Sequence, residues 1–387
     1  MLRPAIALAA AALLAAAPVR PAGHVAVDLS RKRLVAAGYV APAGSGHAEL
    51  TLEPALQHDA ERLLQEANPV AGAVVLVDAR RGRVLVWAER RRDGRGASLI
   101  TTGRTPAASV FKLVTTAALY ETAKLTPSER VCIAGGSRAI ERRHLDPPRD
   151  GDIRCAPFFQ ALGHSKNAVY AQLATHRLLR NDLIETAERI GFNGTVPFDV
   201  PVPVGTLEVP YNDLEFARTA AGFRGTTLTP LGGAYLAGII ANGGISPRFR
   251  IVDSIDGEPL VLAEDPPPRV MGSTTAHRLE RMMEVTVESG TARSAFHDDL
   301  GNPLLGRVAV AGKTGTLHPS ESARDGAASW FIGFAPARSP TVIVSVLLEN
   351  GSVWRRKAAE VARDVLRSYF AARGAAGVRP PLEIAER

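Results

Sequence analysis

The sequence predicts a mixed α/β fold of the α+β kind: a central antiparallel sheet of about five strands flanked by helices, with an inserted all-helical lobe at about residues 120–240. Three observations predict it. Two β-rich runs, Ala73 to Val77 and Val84 to Ala88, are joined by a short loop containing Gly82, the pattern of a hairpin. Residues 109 to 240 are mainly helical in pattern, with Pro/Gly breaks at 134–151 and 191–211. Near the C-terminus three strand-like runs follow one another, Arg307 to Gly315, Ala328 to Ala335 and Thr341 to Leu348. Strands at both ends with helices between them fit one sheet completed by N- and C-terminal segments, and a cleft between sheet and lobe is the natural place for a site.

Each element follows from its residues. Met1-Leu-Arg-Pro carries one positive charge, Ala5 to Ala17 is an unbroken apolar run, and Pro18, Arg20 and Pro21 stop it. That run is shorter than the roughly 20 residues a membrane-spanning helix needs, and its layout is that of a secretory signal peptide over residues 1–22. Residues 23–49, rich in Ala, Gly, Pro and His without stable periodicity, read as a linker. Pro54 opens an amphipathic helix with Leu56, Ala60, Leu63 and Leu64 on one face. The strand runs at 328–335 and 341–348 are linked by the turn "PARSP". A closing helix presents Trp354, Ala358, Val361, Val365 and Tyr369 on one face, before a tail at 373–387. The folded unit is expected to span 50–372, and no internal repeat is visible.

At 387 residues and 46% apolar composition the chain has the makings of a sizeable core. The net charge of +7 is spread widely, densest at Arg80, Arg81, Arg83, Arg90, Arg91, Arg92 and Arg95 around a short apolar segment. Export and the lack of interleaved aromatics disfavour nucleic acid, whereas peripheral association with anionic lipid or wall polymers is compatible with the charge. The two cysteines, Cys132 and Cys155, bracket a polar segment and read as a disulfide of an oxidising compartment. Two cysteines and His144 without CxxC spacing make a poor zinc site, so no metal or cofactor is expected.

The chemistry-bearing residues stand out against composition. The chain has six lysines against forty arginines, yet "PAASVFKLVTTAALY" places Lys112 in an almost wholly apolar helical run. Ser109 and Lys112 are three residues apart and share a helix face. Burial favours the neutral amine, and a neutral amine beside a serine hydroxyl is a general base beside a nucleophile. The bland reading, a snorkelling lysine and a serine cap, applies to this motif alone. Two further signals count against it: Ser165-Lys166-Asn167 in "GHSKNAVYAQLA", heading another helical pattern, and Lys313-Thr314-Gly315-Thr316 in "RVAVAGKTGTL", at a strand end.

In this order and spacing the three motifs resemble the serine–lysine, SxN and KTG set of penicillin-recognising acyl-serine enzymes, and the chain is similar to the transpeptidase domain of penicillin-binding proteins. The segments "LTLEPALQHDAERLL", "LTPLGGAYLAGIIANGG", "MMEVTVESGTA" and "SWFIGFAPA" carry the likeness across about residues 50 to 370. The resemblance implies Ser109 as nucleophile, Lys112 as its base, Ser165 as proton relay and Asn167 as a substrate-amide ligand. Lys313, Thr314, Gly315 and Thr316 would receive the terminal carboxylate of a D-Ala-D-Ala stem peptide, with backbone N–H groups of Ser109 and Thr316 as the oxyanion hole. At Lys313 the implied task is to present a positive charge, which arginine would also do. Lys166 stands where the SDN form has Asp, which leaves only that side chain's role open.

The implied function is peptidoglycan cross-linking by a D,D-transpeptidase that β-lactams acylate, located in the periplasm or cell envelope, with a glycan-strand polymerase as a further implied partner. Two alternatives stay open: a serine hydrolase on the same scaffold (a class D-like β-lactamase or a D,D-carboxypeptidase), and a non-catalytic β-lactam sensor or scaffold.

Overall fold

The computed structural model describes residues 26–102, 105–135, 139–260, 265–317, 327–351 and 354–374. The predicted leader at 1–22, and the predicted tail apart from Arg373 and Gly374, lie outside the described residues.

The described residues begin with a 3-10 turn at Leu29–Arg31 and three short strands, β1 (Arg33–Val35), β2 (Gly38–Ala43) and β3 (Gly46–Leu50), ahead of α1 (Pro54–Ala67) and the hairpin β4 (Ala71–Asp78) and β5 (Val84–Arg91). After α2 (Leu99–Thr102) and β6 (Thr105–Pro106), a 3-10 turn at Ala108–Phe111 runs into α3 (Lys112–Glu121). The middle comprises β7 (Arg130–Ala134), β8 (Ile153–Pro157), α4 (Phe159–Gly163), α5 (Asn167–Arg177), α6 (Arg180–Ile190), α7 (Asp213–Ala220), β9 (Thr227–Leu228) and α8 (Pro230–Ala241). Then come β10 (Val252–Ile255), β11 (Glu258–Pro259), α9 (Ser273–Glu288), α10 (Arg293–Phe296), β12 (Ala311–Leu317), β13 (Ala327–Ala335), β14 (Val342–Asn350) and α11 (Ala358–Ala372).

The central sheet has five antiparallel strands in the order β12-β13-β14-β4-β5, with β12 at one edge. Its strands are buried on both faces, which explains why they read as continuous apolar runs rather than alternating ones. Val74 and Leu76 meet Leu63 of α1 and Val361 and Val365 of α11 on one face. Val75 and Val77 point the other way, into the cluster containing Val114 of α3 and Ile239 of α8. Each such side chain contributes about 1.5–3 kcal/mol of transfer free energy. The sheet is therefore a rigid floor against which α3 and β12 are set.

Four expectations need correction. The stretch expected as a linker at 23–49 carries, from Arg33 onward, β1, β2 and β3, which join β10 and β11 in a second sheet, in the order β1-β2-β3-β10-β11. Its inward positions include Ala41, Ala43 and Ala48, side chains too small to make an apolar period visible, and β10 lies some two hundred residues away in sequence. The middle is not all-helical, because β7 and β8 pair antiparallel with Cys132 opposite Cys155. Trp354 is outside the last helix, which starts at Ala358 with the Glu360 carboxylate accepting the Lys357 N–H. Finally, Lys313, Thr314 and Gly315 lie inside β12 and not at its end.

Candidate active site

The nucleophile candidate sits in an unusual backbone. Ala108, just before Ser109, has φ +51°, a region costly for a residue with a Cβ. Gly222 makes it feasible: itself at φ +86°, it lies so close that a Cβ there would stand 1.8 Å from the Ala108 carbonyl oxygen. Gly315 makes the other close approach, where a Cβ would stand 3.2 Å from both Ala108 Cβ and Val110 Cγ2. Small residues thus bring the Ser109 turn against both the lobe and the edge strand.

Lys112 opens α3 and is completely buried. Its Nζ lies 2.9 Å from Ser109 Oγ, 3.1 Å from Ser165 Oγ and 3.3 Å from the Ser165 carbonyl, and it also bonds Asn167 Oδ1. The Tyr170 ring stands 5.4 Å from the same nitrogen. Burial, and then the charge of Lys313, hold the amine well below the usual lysine range. A neutral amine has two N–H donors and one lone pair. Asn167 Oδ1 and the Ser165 carbonyl can only accept, so they take the two N–H bonds and the lone pair remains for a hydroxyl. That is the arrangement in which Ser109 can lose its proton.

Ser165 lies between α4 and α5 at φ +52°, and Asn167 is the first residue of α5. From the opposite wall, Lys313 Nζ donates to Ser165 Oγ at 3.2 Å and to the Thr314 carbonyl at 2.7 Å. Ser165 Oγ therefore bridges the two lysines. Lys313 is also fully buried, and burial lowers its pKa to about 7. Burial thus favours the neutral form at the position where the sequence reading expects a cation.

Ser109, Ser165, Asn167, Thr314 and Thr316 line one cleft of about 270 Å³. Among the described residues the backbone edge of β12 that faces away from β13 has no strand partner. Lys166, between the two polar motif residues, is exposed. Cys132 and Cys155 form a disulfide across the β7–β8 hairpin and are not among the residues lining the cleft. Among the described residues no group of three or more His, Cys, Asp or Glu is placed to hold a metal ion.

Sequence reasoning missed Tyr170, whose hydroxyl bonds Thr116 Oγ1 at 2.8 Å beneath Lys112, although its position three residues after Asn167 puts both on one helix face. It also missed Gly222, and it gave no role to Thr291 although that residue lies in the quoted segment "MMEVTVESGTA".

The chain matches the family described as the penicillin binding protein transpeptidase domain over residues 72–368. Peptidoglycan D,D-transpeptidase PbpA of Mycobacterium tuberculosis is 27% identical over 346 residues, covering 79% of this chain and 68% of that one. The imipenem acyl-enzyme complex of penicillin-binding protein A from the same organism superposes with a TM-score of 0.65 at 25% identity, over 83% of this chain and 79% of that one. The D,D-transpeptidase domain of a peptidoglycan glycosyltransferase from Eggerthella lenta shares the fold, with a TM-score of 0.67 at 22% identity over 89% and 95% of the two chains. By its family match over three-quarters of its length, and by a cleft in which three separate motifs converge on one serine, the chain belongs to the penicillin-binding protein transpeptidase family.

Proposed function

We propose that the protein is a peptidoglycan D,D-transpeptidase that forms an acyl-enzyme at Ser109 and is acylated there by β-lactams. One observation carries the reading: a fully buried amine, Lys112 Nζ, 2.9 Å from Ser109 Oγ, with its N–H groups taken by acceptors.

In the first half-reaction Ser109 Oγ attacks the carbonyl carbon of the D-Ala-D-Ala bond as its proton passes to Lys112 Nζ. The developing oxyanion is met by backbone N–H groups of Ser109 and Thr316. The proton then travels from Lys112 through Ser165 Oγ, 3.1 Å away, to the departing D-Ala nitrogen as the C–N bond breaks. Asn167 orients the amide, and Lys313, Thr314 and Thr316 receive the terminal carboxylate. In the second half-reaction an amine of another stem peptide delivers its proton along the same chain and takes the acyl group, restoring Ser109.

Among the described residues lining the cleft the one carboxylate is Glu360, whose Oε2 accepts the Lys357 N–H. The folded unit is taken as residues 50–372 together with the strands at 33–50. The leader at 1–22 would export it to the cell envelope, where the disulfide is stable. A glycan-strand polymerase, and anionic membrane or wall surfaces for the arginine-rich hairpin, complete the proposed setting.

The test is a time course of covalent labelling by a fluorescent penicillin with Ser109→Ala as control, followed by analysis of cross-linked against trimmed muropeptides. A persistent adduct lost in Ser109→Ala, with cross-linked products, is expected. No adduct would defeat the enzyme reading, an adduct released within seconds would assign a β-lactamase, and trimmed products alone would assign a carboxypeptidase.

A further inference from the structure

A residue outside the three motifs ties their two walls together. α9 ends at Glu288, and the chain turns through Ser289 and Gly290 to Thr291, which lines the cleft. The Thr291 backbone N–H donates to the Gly163 carbonyl at 3.1 Å, two residues before Ser165. Its side-chain Oγ1 lies 2.5 Å from Thr314 Oγ1 on the opposite wall. The backbone arm is held by a tight crossing of α4 and α9: a Cβ on Gly290 would stand 2.2 Å from the Gly163 carbonyl oxygen, and one on Gly163 would stand 2.5 Å from Val285 Cγ1. Thr291 therefore has little freedom to leave Thr314.

Two hydroxyls in contact share one proton between them and keep one to offer elsewhere. If Thr291 donates, the Thr314 proton is the one left over, turned outward and polarised by the bond it accepts. A carboxylate arriving in the cleft then meets a donor already pointing at it. Without the Thr291 hydroxyl the Thr314 rotor is unconstrained and can equally present a lone pair, which repels the same anion.

We propose that Thr291 is a positioning residue of the carboxylate subsite, its hydroxyl donating to Thr314 Oγ1 and so directing the Thr314 proton at the terminal carboxylate of the acyl donor. This rests on the acyl-serine reading above. The role predicts selectivity for the free acid over its ester, an effect that a merely structural residue would not produce.

The experiment measures second-order acylation of the wild type, Thr291→Val, Thr291→Ser and Thr314→Val by benzylpenicillin and by its methyl ester, using intact mass to count adducts. Val keeps the shape and the backbone N–H to Gly163. Thr291→Val is expected to slow the free acid about tenfold while leaving the ester within about twofold of wild type. Thr291→Ser should restore the free-acid rate, and Thr291→Val added to Thr314→Val should cost nothing more. Equal slowing of acid and ester, no slowing of either, or additive losses in the double variant would overturn the proposal. If the wild type itself takes up neither compound, the acyl-serine reading fails instead, so the two failures are distinguishable.

Discussion

Lys313→Met should make the protein more stable while removing its acylation by penicillin. Lys313 is fully buried, and its pKa falls from 10.5 to about 7 because burial penalises the charged form. A lysine whose folded pKa lies below its unfolded one binds fewer protons when folded, so stability rises with pH between about 7 and 10.5 and the full penalty applies below that window. At pH 7 the shift corresponds to about 4 kcal/mol against the folded state, and at pH 9 to about 2 kcal/mol. Met fills the same volume without the charge, but loses the bonds to Ser165 Oγ and the Thr314 carbonyl, worth about 1 kcal/mol each. The net expectation is a gain of about 2 kcal/mol at pH 7, a few degrees in thermal midpoint, falling to about zero at pH 9. Differential scanning calorimetry of both proteins at the two pH values, with fluorescent-penicillin labelling in parallel, measures it. A variant no more stable than wild type at pH 7, or a difference that does not narrow by pH 9, would refute the reasoning.

Three further outcomes are expected. Lys112→Arg should lower the acylation rate by about 10²–10⁴, the contribution of a general base, because guanidinium cannot accept the Ser109 proton; stopped-flow labelling that finds less than a tenfold loss would exclude Lys112 as the base. Gly222→Ala places a Cβ 1.8 Å from the Ala108 carbonyl at a φ of +86°, so Ala108 must shift and carry Ser109 with it. Acylation should fall at least about tenfold and stability by about 1–3 kcal/mol, and an unchanged rate would mean that the Ala108 conformation does not matter. Reducing Cys132–Cys155, whose partners are 23 residues apart, should cost about 3 kcal/mol in the chain-entropy model. It should lower the thermal midpoint yet leave the acylation rate at 25 °C within about twofold, as rate measurements with and without reductant would check.

How much of this was legible depends on side-chain size and on distance along the chain. The central sheet was readable because β4, β13 and β14 are built from Val, Leu, Ile and Phe buried on both faces. The second sheet was not, since its inward residues include alanines and it closes only when β10 pairs with β3 and Asp256 accepts the His47 N–H across 209 residues of sequence. The β7–β8 hairpin escaped for a different reason. Its strands are mostly exposed or half-buried, so no apolar period betrays them, and only their cysteines showed that the two segments meet.

In the site, the residues that were legible are those whose chemistry conflicts with their surroundings. Lys112 and Lys313 were noticed because lysine is rare in this chain, but the sequence suggested different constraints at the two positions: a proton carrier at one, an exchangeable cation at the other. Their geometry couples them. Both reach Ser165 Oγ, both are fully buried, and the charge on Lys313 is the second cause lowering the Lys112 pKa. Any charge at 313 therefore disfavours charge on Lys112, so the two positions cannot be read independently. Gly222, Tyr170 and Thr291 were given no role, because they act by shape or by holding another group in place. They become visible only once the fold has brought Ala108, Lys112 and Thr314 to their sides.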